Sequence, residues 1–226
     1  MTDRQDRPPA DDLIIAIDGP AGAGKSTVGK AVARRLGLQY LDTGAMYRAV
    51  AFAALRGGVP VSDFAAVADV ARSMTLEVGD DGTVTVDGED ATTAIRGREV
   101  TEAVSAVAAN TPVREELRAR QRAWAHDRGG GVIEGRDIGT VVFPAAALKL
   151  YITASARTRA QRRVGEIGGD VADVEASINE RDRLDMSRAD GPLRAHERAV
   201  VLDTTGLTID EVVDRVVDLL PGGRAG

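Results

Sequence analysis

The chain predicts an α/β fold: a core of about five parallel strands flanked by helices, with a small inserted α+β subdomain and a short lid. Three observations carry this. The apolar, β-branched run LIIAID (13–18) leads straight into a glycine-rich turn and then a helical pattern, which is how an α/β unit opens. Short apolar strands then alternate with helical segments along most of the remaining chain. Between them, at about 62–105, the period changes to that of a β-hairpin, which has no place in a parallel alternation.

The elements follow in order. Residues 1–12, with Pro8 and Pro9, read as a flexible tail. Leu13–Asp18 is a buried strand and 25–36 a helix, ended by Gly37. A short strand at 38–41 and a helix at 45–55, stopped by Gly57 and Gly58, come next. Ser62 or Asp63 can cap a helix to about Ser73. Residues 75–78 and 83–86 alternate as strands around the turn 79–82. Thr111 and Pro112 open a helix that runs to about Asp127. Residues 131–134 and 148–153 are strands, 155–164 a helix, 165–170 a glycine-containing break, and 171–183 another helix. A strand at 199–203 and a helix at 208–220 close the chain. The division is thus a core of 13–61 and 106–226, with a lid at about 157–170, and an inserted subdomain at 62–105.

Composition narrows the function. The 226 residues include no cysteine, which excludes disulfides, thiol catalysis and Cys-ligated zinc, and only two histidines, His126 and His196, far apart. A net charge of −6 and 3% aromatic content argue against a nucleic-acid binder. No segment reaches the ~20 apolar residues of a membrane helix. A cytoplasmic protein with no nucleic-acid or membrane partner is expected. Of the 29 basic residues only Lys25, Lys30 and Lys149 are lysine, so a lysine inside a glycine loop stands out.

That loop is Gly19-Pro20-Ala21-Gly22-Ala23-Gly24-Lys25-Ser26, followed by Thr27, and it fits G-x-x-x-x-G-K-[ST]. Glycines let backbone amides turn inward around phosphate, and the helix N-terminus adds free donors. Lys25 is placed for the β- and γ-phosphates of ATP, and the Ser26 hydroxyl for Mg²⁺. No guanine-specificity motif accompanies it. A small kinase also needs an acceptor site with arginines that neutralise the transferring charge. The candidates are Asp42-Thr43-Gly44 with Tyr47 and Arg48, then Glu134-Gly135-Arg136-Asp137, both at carboxyl ends of strands. Arg157, Arg159, Arg162 and Arg163 form an arginine-dense stretch suited to a lid. Arg181, Asp185 and Arg188 share a face if their helix persists.

These residues resemble those of the bacterial cytidylate (CMP) kinases, of the nucleoside monophosphate kinase group. The matching segments are IDGPAGAGKST (17–27), LDTGAMYRAVA (41–51), VREELRARQRAW (113–124), EGRDIGTVVFP (134–144), INERDRLDMSRADGPL (178–193) and LDTTGLTIDEVV (202–213). The resemblance implies phosphoryl transfer from ATP, with Mg²⁺, to CMP or dCMP, giving ADP and CDP or dCDP. It implies a monomer, a nucleoside monophosphate-binding role for the insertion at 62–105, and an acceptor site of Thr43, Arg48, Ser105, Arg114, Arg136, Asp137, Arg181, Asp185 and Arg188. Asp137 with Arg114 and Arg136 would read the cytosine edge. Arg48, Arg136 and Arg188 would grip the phosphate, and Arg181 and Asp185 would face the sugar. Lys25 with Arg136, Arg159, Arg162 and Arg163 would stabilise the moving phosphoryl group. Where the family often carries aspartate, this chain has Glu134 and Ala145. Two other readings share the phosphate loop: a kinase for a different small acceptor such as shikimate, and a nucleotide-dependent switch or ATPase. Turnover strictly dependent on a monophosphate separates them from the cytidylate kinase reading.

Overall fold

The computed structural model describes residues 13–220; the predicted tail at 1–12 lies outside the described residues. β1 (Leu13–Asp18) is buried from Ile15 onward, as its apolar run requires. It leads through the glycine loop into α1 (Lys25–Leu36), which Gly37 ends in the left-handed conformation. β2 (Tyr40–Asp42) is followed at once by α2 (Thr43–Arg56), with the Asp42 side chain accepting from the Ala45 amide. That cap starts the helix two residues before the predicted 45. α3 (Phe64–Ser73) is capped by Asp63.

The antiparallel hairpin is present as β3 (Leu76–Val78) and β4 (Val84–Val86), and β5 (Glu89–Asp90) adds a third strand to it. The sequence reading has no helix at 98–109 and closes the insertion at 105. In the structure α4 (Arg98–Ala109) runs unbroken across that position, and the chain turns at Asn110, whose side chain caps α5 (Thr111–Arg128). Alternating Val and Ala residues at 100, 103, 104, 107 and 108 bury one face of α4, a helical period that the adjacent hairpin masks in sequence.

β6 (Gly130–Gly135) is buried throughout. Residues Ile138–Val142 form a single π-turn that sequence reading leaves as loop. Its cause is remote: the Asp18 carboxylate accepts from the amides of Ile138 and Gly139, both at 2.8 Å. β7 (Leu148–Thr153) coincides with its predicted range. α6 (Ala156–Ile167) passes through Gly165, where a break was expected, and stops at Gly168 and Gly169, both at positive φ. Its packing on α7 (Val171–Ser187) outweighs the ~1 kcal/mol cost of an interior glycine. α7 extends past the predicted end at 183 and keeps Arg181 and Asp185 on one helix, with Arg188 at its C-cap. β8 (Val200–Asp203) and α8 (Ile209–Asp218) complete the chain.

The main sheet has five parallel strands in the order β2-β6-β1-β7-β8. One face packs on α1 and α8 through Ile15, Ile17, Val28, Val32 and Val216. The other packs on α2 to α5, and the core there continues into the hairpin through Val84, Val86 and Ile95. All five strands point their carboxyl ends at one edge, and that edge carries the site.

Candidate active site

The glycine loop leaves β1 at that edge. Gly19, Gly22 and Gly24 all have positive φ. A Cβ at Gly19 would collide with the Ile152 carbonyl oxygen, so the turn admits only glycine there. The loop carbonyls are held by cations. Lys25 Nζ donates to Pro20 O at 2.8 Å, Arg159 Nη1 to Ala21 O at 3.1 Å, and Arg162 Nη1 to Ala23 O at 3.4 Å. A trans peptide sets its N–H opposite its C=O. Pinning carbonyls outward therefore turns amides inward, where a phosphate would lie.

Arg159 is itself fixed. Its guanidinium also donates to Ala154 O, and Asp182 lies 2.7 Å away, so the pair ties α6 to α7 beneath the loop. Arg162 donates to both the hydroxyl and the carbonyl of Thr204. Arg163 pairs with Glu166 at 2.9 Å, and its charge is felt at Arg48 across the cleft. Arg157 pairs with Glu175 at 3.6 Å. Of the arginine-dense stretch, Arg159 and Arg162 thus reach the phosphate loop, while Arg163 pairs with Glu166 on its own helix.

Ser26 and Glu134 meet where α1 starts and β6 ends. Ser26 Oγ donates to Glu134 Oε1 at 2.7 Å, while Thr43 Oγ1 donates to the Glu134 carbonyl at 2.6 Å. Glu134 Oε2 is buried without a hydrogen-bond partner among the described residues. Burial, then the Asp42 charge, pushes the Glu134 carboxyl up; burial, then Arg136, pulls Lys25 down. Each departs from its ordinary range in the sense that a bound polyanion and its cation would reverse. A hydroxyl and an orphaned buried carboxylate oxygen, side by side, suit a hydrated divalent cation, so Mg²⁺ fits the residues present.

Opposite the loop stands a cluster of arginines. Arg136 Nε donates to Asp185 Oδ2 at 2.8 Å, and Arg188 Nη1 lies 3.7 Å from Asp185 Oδ1. Arg48 is aimed from the other side by Ile95 O and the Thr101 hydroxyl, at 3.1 and 3.0 Å. Burial, then repulsion from Arg136 and Arg48, brings Arg181 down to about 10. The Nε groups of Arg181 and Arg188 are buried without hydrogen-bond partners among the described residues. Asp185 feels burial pushing up, but Arg136 and Arg188 outweigh it and hold its carboxyl below the usual range. Cations that repel one another and retain unused buried donors form a site for an anion. Further along, Arg114 Nη2 donates to Asp137 Oδ2 at 2.6 Å, and the Arg114 guanidinium lies over the Tyr47 ring. Ser105 is half-buried on α4.

Sequence reasoning missed Asp18, Asp182, Thr204, Arg118 and Asp190. Asp18 had a signal, a carboxylate in a buried strand directly before the loop. Arg118 had one in its spacing of four from Arg114. The rest act through partners remote in sequence.

A phosphate loop facing a cluster of half-buried arginines, at the carboxyl edge of a five-stranded parallel sheet, defines a small P-loop kinase. A family model described as "Cytidylate kinase" matches residues 15–221, and the chain belongs to the cytidylate kinase family. It is 49% identical over 212 residues to a cytidylate kinase of Nocardia farcinica, covering 90% of this chain and 91% of that one. It is 49% identical over 222 residues to a cytidylate kinase of Rhodococcus opacus, covering 95% and 96%. Among solved structures, an uncharacterized protein from Eubacterium ventriosum is similar in fold, with a TM-score of 0.51 over 92% of this chain and 97% of that one at 12% identity.

Proposed function

We propose that the protein transfers the γ-phosphoryl group of ATP to CMP or dCMP, giving ADP and CDP or dCDP. The observation that carries this is the arginine cluster of Arg48, Arg136, Arg181 and Arg188, with its unused buried donors, set across the same sheet edge from Lys25. It suits a phosphate monoester acceptor. The family membership supports a cytidine base on that acceptor.

In this reading an oxygen of the acceptor phosphate attacks the γ-phosphorus, and the bond to the bridging oxygen of ADP breaks. The attacking oxygen is already anionic, so no general base is needed and the shortage of histidine is immaterial. The task is to bring two polyanions into line and spread their charge. Arg48, Arg136 and Arg188 hold the acceptor phosphate. Arg181 and Asp185 meet the sugar, and Asp137 with Arg114 and Ser105 meets the base. Residues Gly19 to Thr27 hold the triphosphate, with Lys25 against the transferring group. Arg159 and Arg162 keep the loop amides turned inward, and Arg163 adds charge as the part of 157–170 beyond them closes. Ser26, backed by Glu134, would hold Mg²⁺, which neutralises phosphate charge when bound. Closure also keeps water from ATP. A cytoplasmic monomer acting on free nucleotides fits this chemistry, with 62–105 carrying much of the acceptor-side wall.

The test is ADP formation from Mg-ATP with CMP, dCMP, UMP, AMP, GMP and shikimate as acceptors. Turnover with CMP and dCMP far above the others is expected. Preference for another acceptor would overturn the acceptor assignment, and ATP binding without acceptor-dependent turnover would overturn the kinase itself.

A further inference from the structure

We propose that Arg118 and Asp190 are positioning residues that hold the Asp137 carboxylate in the one orientation that distinguishes an amino-bearing pyrimidine from its carbonyl counterpart. The proposal rests on the reading of Asp137 as the group that meets the base. The observation behind it is a closed ring of four charged side chains at the end of β6.

Asp137 Oδ2 accepts from two guanidinium groups, Arg114 Nη2 at 2.6 Å and Arg118 Nη2 at 3.2 Å. Arg118 is in turn forked onto Asp190, with Nη2 to Oδ1 at 2.6 Å and Nη1 to Oδ2 at 3.2 Å. Arg114 Nε lies 3.4 Å from Asp190 Oδ2 and closes the ring. Two arginines and two aspartates balance in charge. Without Asp190, two guanidinium groups would crowd one carboxylate in a site where Arg114 is 1% exposed and Asp137 5%, an arrangement burial does not tolerate. At Asp190 itself burial pushes the carboxyl up, but the bond and charge of Arg118 outweigh it and hold it below the usual range.

Both bonds to Asp137 fall on the same oxygen. An aspartate carboxylate turns easily about its last torsion. Tying down Oδ2 from two sides stops that rotation and reserves Oδ1 for one direction. An acceptor fixed there takes a hydrogen bond from an exocyclic amine and repels a carbonyl, a difference that a freely turning carboxylate would blur.

The ring also joins base recognition to the phosphate grip. Gly191 has a φ of +60°, and a Cβ there would run into Arg114 Nη2, Asp137 Oδ2 and Arg118 Nη2. The backbone of 188–193 therefore lies directly on the ring. The same segment begins with Arg188, whose Nη2 donates to Gly191 O at 3.1 Å, and it returns to α7 through Leu193 N to Asp185 O at 2.9 Å.

The experiment compares kcat/KM for CMP and UMP, and KM for ATP, in the full chain and in Arg118→Met, Arg118→Lys, Asp190→Asn and Asp137→Asn. Arg118→Met and Asp190→Asn are expected to lower the CMP/UMP ratio on the order of 10-fold, mainly through KM for CMP, with KM for ATP unchanged. Arg118→Lys, which keeps one donor toward Asp190, recovers part of the ratio. A purely structural role would lower thermal stability and leave the ratio at its original value. Asp190→Asn, isosteric and partly exposed, keeps the test open if Arg118→Met fails to fold. If Asp137→Asn collapses the ratio while Arg118→Met and Asp190→Asn leave it intact, the positioning proposal falls and the base reading stands. If Asp137→Asn leaves the ratio intact, both fall.

Discussion

Lys25 shows how one residue's environment sets its role. It is 6% exposed, bonded to Pro20 O, and pulled down by burial and by Arg136. An ammonium held there gains most when phosphate charge develops beside it. Lys25→Met is expected to lower kcat by about 10²- to 10³-fold, the scale for losing one preorganised charge donor, while KM for CMP stays close to its original value. Steady-state kinetics check it. Asp18 makes a pH prediction. Burial raises its carboxyl from 3.8 to about 6, against the opposing effect of the Gly139 and Ile138 amides. A raised acid loses its proton earlier in the unfolded chain than in the folded one. Its contribution is therefore fully present below about 3.8 and is lost as pH rises through about 6. Relative to the titration-silent Asp18→Asn, the protein should lose on the order of 3 kcal/mol of stability between those limits, as read by denaturant unfolding at stepped pH. A difference that stays flat with pH would refute this.

At the scale of elements, α6 and α7 act on the site by holding each other under the glycine loop. The tie is the Arg159–Asp182 pair, with side chains 7% and 10% exposed. Removing one partner leaves a buried charge uncompensated, so Asp182→Ala should cost about 3 kcal/mol, visible as a lowered Tm. Because Arg159 then releases Ala21 O, KM for ATP should rise more than KM for CMP. Most elements were legible from their punctuation: Gly37, Asp63, the Thr111-Pro112 pair and the glycine turn at 79–82 each work through local physics. α4 was missed because its Ala/Val face has no strong cap to announce it: Gly97, at its N-cap, makes no side-chain bond. The π-turn at 138–142 was missed because its cap, Asp18, is 120 residues away in sequence.

At the scale of the whole molecule, the insertion is not set apart by its own core. Val84, Val86 and Ile95 belong to the same apolar cluster as Ala16, Leu41 and Ile133 of the main sheet. Lys30 donates to Asp81 O, and Arg120 to Met74 O and Ala71 O, adding polar ties across the same boundary. Unfolding is therefore expected as one cooperative transition, with equal calorimetric and van't Hoff enthalpies. Two resolved transitions would show the insertion melting independently. CMP at ~100 times its Kd should add about 2.7 kcal/mol to stability, which a thermal shift would read as a rise of roughly 5–10 °C. UMP at the same concentration should give less.

The sequence by itself determined the α/β class, the phosphate loop and the antiparallel hairpin. Each follows from short-range causes: hydrophobic period and glycine at positive φ. Only the tertiary structure decided which arginine does what. Arg159 and Arg162 lie in one helix with Arg163, yet they hold the glycine loop's carbonyls while Arg163 pairs with Glu166. Arg118 and Asp190, 72 residues apart, pair with each other, and Arg118 also donates to Asp137. A guanidinium reaches far on a rotatable stem, and its partner is whichever carboxylate or carbonyl the packed elements leave within that reach. That choice is made between elements, where local pattern carries no information.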